Sequence, residues 1–188
     1  MYLPDIPISV AFGGLIAASN LGRVRSGQWS WEELRRRSFW QVVGYGLLFH
    51  CVDSLFAFVW YGDWNLAYVV PFARVGYAGA VAMEAGLLGL LLLGRWLVLI
   101  VSRKRPVLAW APILASLALF GAVMVVIWDR YQHVGSYDQY HQGTAVLATT
   151  DPVFTMFTTL AGAYLLVPLA VLIAFNIYHG RGQVLGGA

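Results

Sequence analysis

The sequence is short of the residues that soluble domains place on their surfaces and of those that cross-link small folds. Only 11% of the 188 residues are charged, whereas a typical soluble domain has about 25%. Cys51 is the single cysteine, which excludes an intramolecular disulfide, a cysteine zinc site and a CxxC redox motif. The sequence also lacks a glycine-rich phosphate loop, a GxSxG elbow and an HExxH helix. These absences argue against the common enzyme classes that are identified by a short sequence motif.

What the sequence has in abundance is apolar residues. They make up 60% of the chain, and the mean hydropathy is +0.68. This composition indicates an integral membrane protein, with residues 1–188 forming a single transmembrane domain. The net charge is +3 and the pI is about 9.2, but the basic residues leave no aromatic, basic surface of the kind that binds nucleic acid. We therefore expect no nucleic-acid partner.

The most apolar stretch covers residues 72–101, although it also contains Arg74, Glu84 and Arg95. A helix needs about 20 apolar residues to cross a bilayer, so this stretch is long enough to do so. Similar segments elsewhere predict an all-α, polytopic bundle with five membrane spans. The predicted spans are residues 6–21, 39–61, 72–101, 106–128 and 152–178.

Before the second span lies the most polar segment of the chain, residues 22–38. Ser30 and Glu33 have the spacing of a capping box, in which each side chain accepts a hydrogen bond from a backbone N–H of the other residue. This spacing predicts a helix that begins near Trp31. We expect it to start as a short interfacial helix along the inner membrane surface and then to turn into the bilayer.

Small residues recur at three- and four-residue spacing on two neighbouring spans. Such stripes let helix backbones approach each other closely in lipid. The turn between the third and fourth spans is short, so the two spans are predicted to be antiparallel neighbours. We expect contact between the stripes Gly79–Ala82–Gly86–Gly89 and Ala111–Ala115–Ala118–Ala122. A third stripe is formed by Gly14, Ala18 and Gly22, so we expect the first span to pack inside the bundle.

The positions of the basic residues predict the orientation. Segments 22–38, 102–105 and 179–188 hold nine of the twelve Lys and Arg residues, and the opposite side holds only Arg130. By the positive-inside rule the N-terminus is outside and the C-terminus is cytoplasmic. The predicted location is the cell's inner (cytoplasmic) membrane, with the lipid bilayer itself as a partner.

Three ionisable residues fall inside predicted spans: His50 and Asp53 in the second and Glu84 in the third. Such residues are costly in lipid and are candidates for function. They can form a proton relay, an ion path or a polar ligand pocket, or they can be a hydrogen-bonded cluster that only fixes helix packing. Arg95 lies about 16 Å along its helix from Glu84 and is expected to extend to the inner interface instead of pairing with it.

The predicted outer loop contains His133, Asp138 and His141, which are residue types that bind zinc or copper. Their spacing is not that of a metal motif, so the alternatives are a metal or ligand site at the outer rim and an aromatic lid. No cofactor is assigned. Haem held by two intramembrane histidines is not expected, because His50 is the only histidine in a predicted span.

Small size, little extramembrane sequence and several small-residue stripes favour a non-enzymatic membrane subunit. Its expected partners are other membrane subunits or copies of itself. One alternative is a small proton- or ion-conducting protein that uses His50, Asp53 and Glu84. Another is a membrane enzyme or metal-binding protein with a site at the outer rim.

Overall fold

A computed structural model describes the backbone of residues 5–61, 76–134 and 152–181, and the side chains of residues 6–49, 51, 82, 85–126 and 166–180. Within these ranges all regular secondary structure is helical. The elements in chain order are α1 (Asp5–Ser19), α2 (Leu21–Arg25), α3 (Trp31–Tyr61), α4 (Gly76–Lys104), a 3-10 helix (Pro106–Trp110), α5 (Ala111–Val134) and α6 (Pro152–Arg181).

Each of the five long helices overlaps one predicted span, with ends that differ by up to six residues, except that α3 starts eight residues before its span. Two stretches among the described residues are long and apolar enough to cross a membrane, Ala85–Lys104 and Pro106–Val126. A shorter apolar stretch covers Leu166–Gly180. The all-helical fold class is therefore confirmed for the described residues, and two helices have the length and composition of a membrane span.

The capping box at the start of α3 is confirmed. The Ser30 N–H donates to Glu33 Oε2 at 2.9 Å, and the Glu33 N–H donates to Ser30 Oγ at 3.1 Å. The sequence predicted a short interfacial helix that then turns into the bilayer, whereas α3 is one continuous helix from Trp31 to Tyr61. The short helix before the second span is instead α2. It is separated from α3 at Gly27, whose φ of 75° lies in the left-handed region that favours glycine.

Helix α1 lies at the centre of the fold, and its most extensive contact is with α4. A Cβ on Gly13 would lie 1.8 Å from the carbonyl oxygen of Leu91, and one on Gly94 would lie 1.8 Å from the carbonyl oxygen of Val10. Only a hydrogen fits at either position, so the two backbones touch through a pair of glycines, one on each helix. Around this contact Ile16, Leu91 and other apolar residues form a buried core.

The helices of the third and fourth spans contact each other as predicted, but the expected contact along their stripes is wrong for the described residues, and Gly79 lies outside the described side chains. Ala82 and Gly89 are exposed, as are Ala111, Ala115, Ala118 and Ala122. The reason is that α1 packs against both α4 and α5. A Cβ on Gly14 would lie 2.8 Å from Cγ1 of Ile113, and Ile113 is the residue through which α5 faces the core. At 100° per residue, the alanine stripe is on the face of α5 opposite Ile113.

Candidate functional site

Four uncharged polar side chains connect three helices at one end of the fold. We call them the amide network: Ser19, Asn20, Gln41 and Asn176. Asn20 Nδ2 donates to Gln41 Oε1 at 2.7 Å, and Gln41 Nε2 donates to Asn176 Oδ1 at 3.1 Å. Asn176 Nδ2 then donates to Ser19 Oγ at 3.0 Å. The network therefore links the end of α1 to α3 and α6.

The local chain explains why these residues are available for such contacts. α1 ends at Ser19, and both Ser19 Oγ and Asn20 Nδ2 donate to the free carbonyl of Ile16 in its last turn. Asn20 and Asn176 are fully buried. Amides and hydroxyls do not titrate in the physiological range, so this network can orient helices but cannot store or transfer a proton.

The same end of the fold holds most of the basic residues, and we call it the basic end: Arg23, Arg25, Arg35, Arg36, Arg37, Arg103, Lys104 and Arg105. Arg25 Nη2 donates to the carbonyl of Pro106 at 3.1 Å, which ties α2 to the turn after α4. Arg95 Nε donates to Ser38 Oγ at 2.9 Å, and Arg95 Nη2 donates to the carbonyl of Arg35. Arg95 thus extends toward the basic end and joins α4 to the first turns of α3.

Arg23 has the most unusual environment of the described basic residues. Only 8% of its surface is exposed, and its Nε and Nη2 atoms are buried without a hydrogen-bond partner among the described residues. Its guanidinium carbon lies 4.4 Å from the ring centroid of Trp29 and 5.7 Å from that of Phe175. Burial, followed by the nearby charge of Arg37, lowers the pKa of Arg23 below its ordinary value.

The predicted intramembrane cluster falls on described helices, with His50 and Asp53 in α3 and Glu84 in α4. Their side chains lie outside the described set, so the predicted cluster stays a prediction. His133 lies in α5 with its side chain also outside that set, and Asp138 and His141 lie wholly outside the described residues. Among the residues that are described, no three His, Cys, Asp or Glu side chains are grouped to hold a metal ion.

The sequence interpretation did not identify the amide network or the environment of Arg23. A usable signal existed, because Asn20, Gln41 and Asn176 all lie at the same predicted end of their spans. Amides so placed can satisfy one another across helices, as the structure has them do. Comparisons with known proteins add no assignment: no family profile, curated protein or solved structure matches this chain.

Proposed function

We propose that this chain is a non-enzymatic integral membrane subunit that packs against copies of itself or against other membrane chains. The observation that carries the proposal is the exposed stripe on α5: Ala111, Ala115, Ala118 and Ala122. In lipid, helices associate where small residues let their backbones approach. The stripe lies opposite the buried Ile113, so it is directed away from the core and is placed for a helix from another chain.

The described polar residues support the same proposal. The buried amides of the network are used in hydrogen bonds between helices of this chain. Arg95 is likewise held by Ser38 and by the backbone of α3. The hydroxyls of Ser19 and Ser38 each donate to a backbone carbonyl of their own helix, so these groups are used within the bundle, which is the pattern of a structural role.

The proposed topology has five spans, an outer N-terminus and a cytoplasmic C-terminus in the inner membrane. The joining of α2, the start of α3 and the α4–α5 turn at one basic end supports it, since basic residues concentrate on the cytoplasmic side. In a Cys51→Ser background, a cysteine replacing exposed Arg103 should react only from the cytoplasm, and one replacing exposed Ile6 only from outside. The reverse pattern would overturn the topology.

Native mass spectrometry in mild detergent tests the subunit proposal. The wild-type chain should be released as an oligomer or with a second membrane chain, and Ala115→Leu should dissociate it by filling the stripe. Gly121→Leu is the matched control, because Gly121 is exposed on the same helix, has open space around it and lies to one side of the stripe. A wild-type monomer, or equal dissociation by both variants, would reject the stripe as the interface.

A second candidate function is proton or ion conduction through His50, Asp53 and Glu84, and the pairing of α3 with α4 favours it. A Cβ on Gly46 would lie 3.1 Å from Cδ1 of Leu88, and Ser38 pairs with Arg95, so the helices are antiparallel in a fixed register. His50 follows Gly46 by about one helical turn, and Glu84 precedes Leu88 by about one turn. In an antiparallel pair these two backbone positions therefore lie at the same level. These positions are close enough in register for the two residues to belong to one site.

Flux measurements in proteoliposomes separate the two functions. A conducting protein should show a pH-dependent flux that Asp53→Asn abolishes and whose midpoint Glu84→Gln shifts. A subunit without a conducting role should show no flux above that of empty liposomes. In that case the same substitutions would change only assembly or melting.

A further inference from the structure

Arg23 is a buried cation whose guanidinium is not fully hydrogen-bonded by the described residues. Its Nε and Nη2 atoms are buried and unpartnered, although burial of a charged donor without a partner is strongly unfavourable. The guanidinium lies near the rings of Trp29 and Phe175, which offer it cation–π contacts but no hydrogen-bond acceptor oxygen. Within the described part of the chain, the site therefore lacks hydrogen-bond acceptors for these two atoms.

The turn after α2 builds this arrangement from the backbone. The carbonyl of Arg23 accepts hydrogen bonds from the N–H groups of Gln28 at 2.9 Å and Trp29 at 3.1 Å. That turn brings the indole of Trp29 back over the side chain of Arg23. Gly180 of α6 packs on the other side, where an added Cβ would lie 3.6 Å from Cγ of Arg23. The guanidinium is thus positioned by three segments of the chain.

A second cation shares the same aromatic ring. The guanidinium carbon of Arg37 lies 4.9 Å from the ring centroid of Trp29, so two positive charges are held beside one indole. Glu33 is the described carboxylate with a charge interaction with Arg37, and its Oε2 already accepts the N–H of Ser30. The charge of Arg37 acts on Arg23, and both positive charges attract an anion to the surroundings of this indole.

We propose that Arg23 and Arg37 form a binding site for a phosphate group at the basic end. A guanidinium donates two parallel hydrogen bonds to phosphate oxygens, and such charge-assisted bonds would satisfy both free N–H groups of Arg23.

The phosphate can come from an anionic lipid or from solution. Basic pockets between membrane helices bind lipid headgroups, so the lipid is the expected source if this end lies at the membrane surface. The site itself does not depend on the subunit proposal, because all of its residues belong to one chain. Loss of the oligomer in mass spectrometry would leave the phosphate site intact, and loss of phosphate binding would leave the α5 stripe intact.

The test is lipid binding to the delipidated full chain in detergent, followed by native mass spectrometry with phosphatidylglycerol. Arg23→Gln should weaken binding by about tenfold, equivalent to about 1.4 kcal/mol. Arg103→Gln removes the same charge from an exposed position and should change the affinity less than twofold. An equal loss in the two variants would mean general attraction to surface charge and would overturn the proposal.

Two further variants keep the test decisive if Arg23→Gln fails to fold. Arg37→Gln removes the exposed member of the pair and should also weaken binding, and Arg23→Lys should bind with intermediate affinity because it keeps the charge without the planar fork. Unchanged affinity in both would reject the site. Inorganic phosphate that competes with the lipid and raises the melting temperature would identify a soluble source. If the wild-type chain bound neither phosphatidylglycerol nor inorganic phosphate, the proposal would be overturned.

Discussion

Two sets of small residues in this protein lie in opposite environments, one in close helix contact and the other exposed. Gly13 and Gly94 bring α1 and α4 into backbone contact, where an added Cβ would lie 1.8 Å from a carbonyl oxygen. The alanines of α5, centred on Ala115, are exposed on the face opposite the core. Small residues at helical spacing therefore show where a close approach is permitted. Which helix makes that approach depends on the packing of the whole bundle.

Helix α1 shows how that packing is decided. With 15 residues it is the shortest of the five long helices. It nevertheless carries the densest run of buried residues among those described, and it contacts α3, α4, α5 and α6. Its glycines lie against α4, and Asn20 after its last turn joins the amide network. A short helix rich in small residues can enter between longer helices, and here α1, not the stripe of α5, makes the close backbone contact with α4.

The largest expected effect comes from the glycine contact. Gly94→Ala forces a methyl group into the carbonyl of Val10, so α1 and α4 must separate along their contact. Overpacking of this kind costs about 1–3 kcal/mol, and the backbone partner here places the substitution at the upper end. Thermal unfolding in detergent measures it. Gly89→Ala is the control, since nothing lies within 4 Å of its added Cβ, and an equal loss in both variants would contradict the contact.

A smaller loss is expected when the amide network is interrupted. Asn176→Leu removes the partner of Ser19 and Gln41 and should destabilise the fold by about 1–2 kcal/mol. In Gln41→Leu/Asn176→Leu the two leucines can pack together, so the double variant should lose less than the sum of the single variants. A double-variant cycle followed by thermal unfolding measures this coupling. Strict additivity would show that the two side chains do not interact.

The helices and the capping box could be predicted because each depends on residues close in sequence. Apolar length defines a span, and Ser30 with Glu33 defines the start of α3. Helix pairing could not be predicted in the same way, since Gly13 and Leu91 meet across a large sequence separation. The environment of Arg23 was missed for the same reason: Trp29 is local, but Phe175 comes from the last helix.

The capping box separates local helix stability from helix packing. Ser30→Ala should destabilise the start of α3 by about 1 kcal/mol, without affecting either set of small residues. The backbone N–H of Ser30 is the main cause that lowers the pKa of Glu33, and Arg37 adds to it. Because the folded pKa is the lower one, this contribution is complete above the ordinary glutamate pKa and is lost as the pH falls through the folded value.

Acid titration of helix stability therefore distinguishes Glu33 from its neighbour. Glu33→Gln should flatten the part of the pH profile that lies below the ordinary glutamate pKa, while Glu32→Gln, on an exposed residue of the same turn, should leave it unchanged. Circular dichroism of the detergent-solubilised chain follows the loss. Added salt should weaken the effect because Glu33 is near the surface. Identical profiles for the two variants would contradict a role for the capping carboxylate.

The smallest expected effect is that of a substitution in the exposed stripe of α5, which can be compared directly with the glycine contact. Ala115→Leu adds volume at a position open to the surroundings, so the unfolding free energy of the dissociated monomer should change by no more than about 0.5 kcal/mol. Gly94→Ala adds a single methyl group and should cost several times as much. Thermal unfolding is measured in a detergent that dissociates any assembly, so that it reports the stability of the monomer alone. A bound partner chain would otherwise add to the apparent stability by mass action. If Ala115→Leu destabilised the monomer as much as Gly94→Ala, the stripe would be covered by a part of this chain beyond the described residues. The subunit proposal would then lose the observation that carries it.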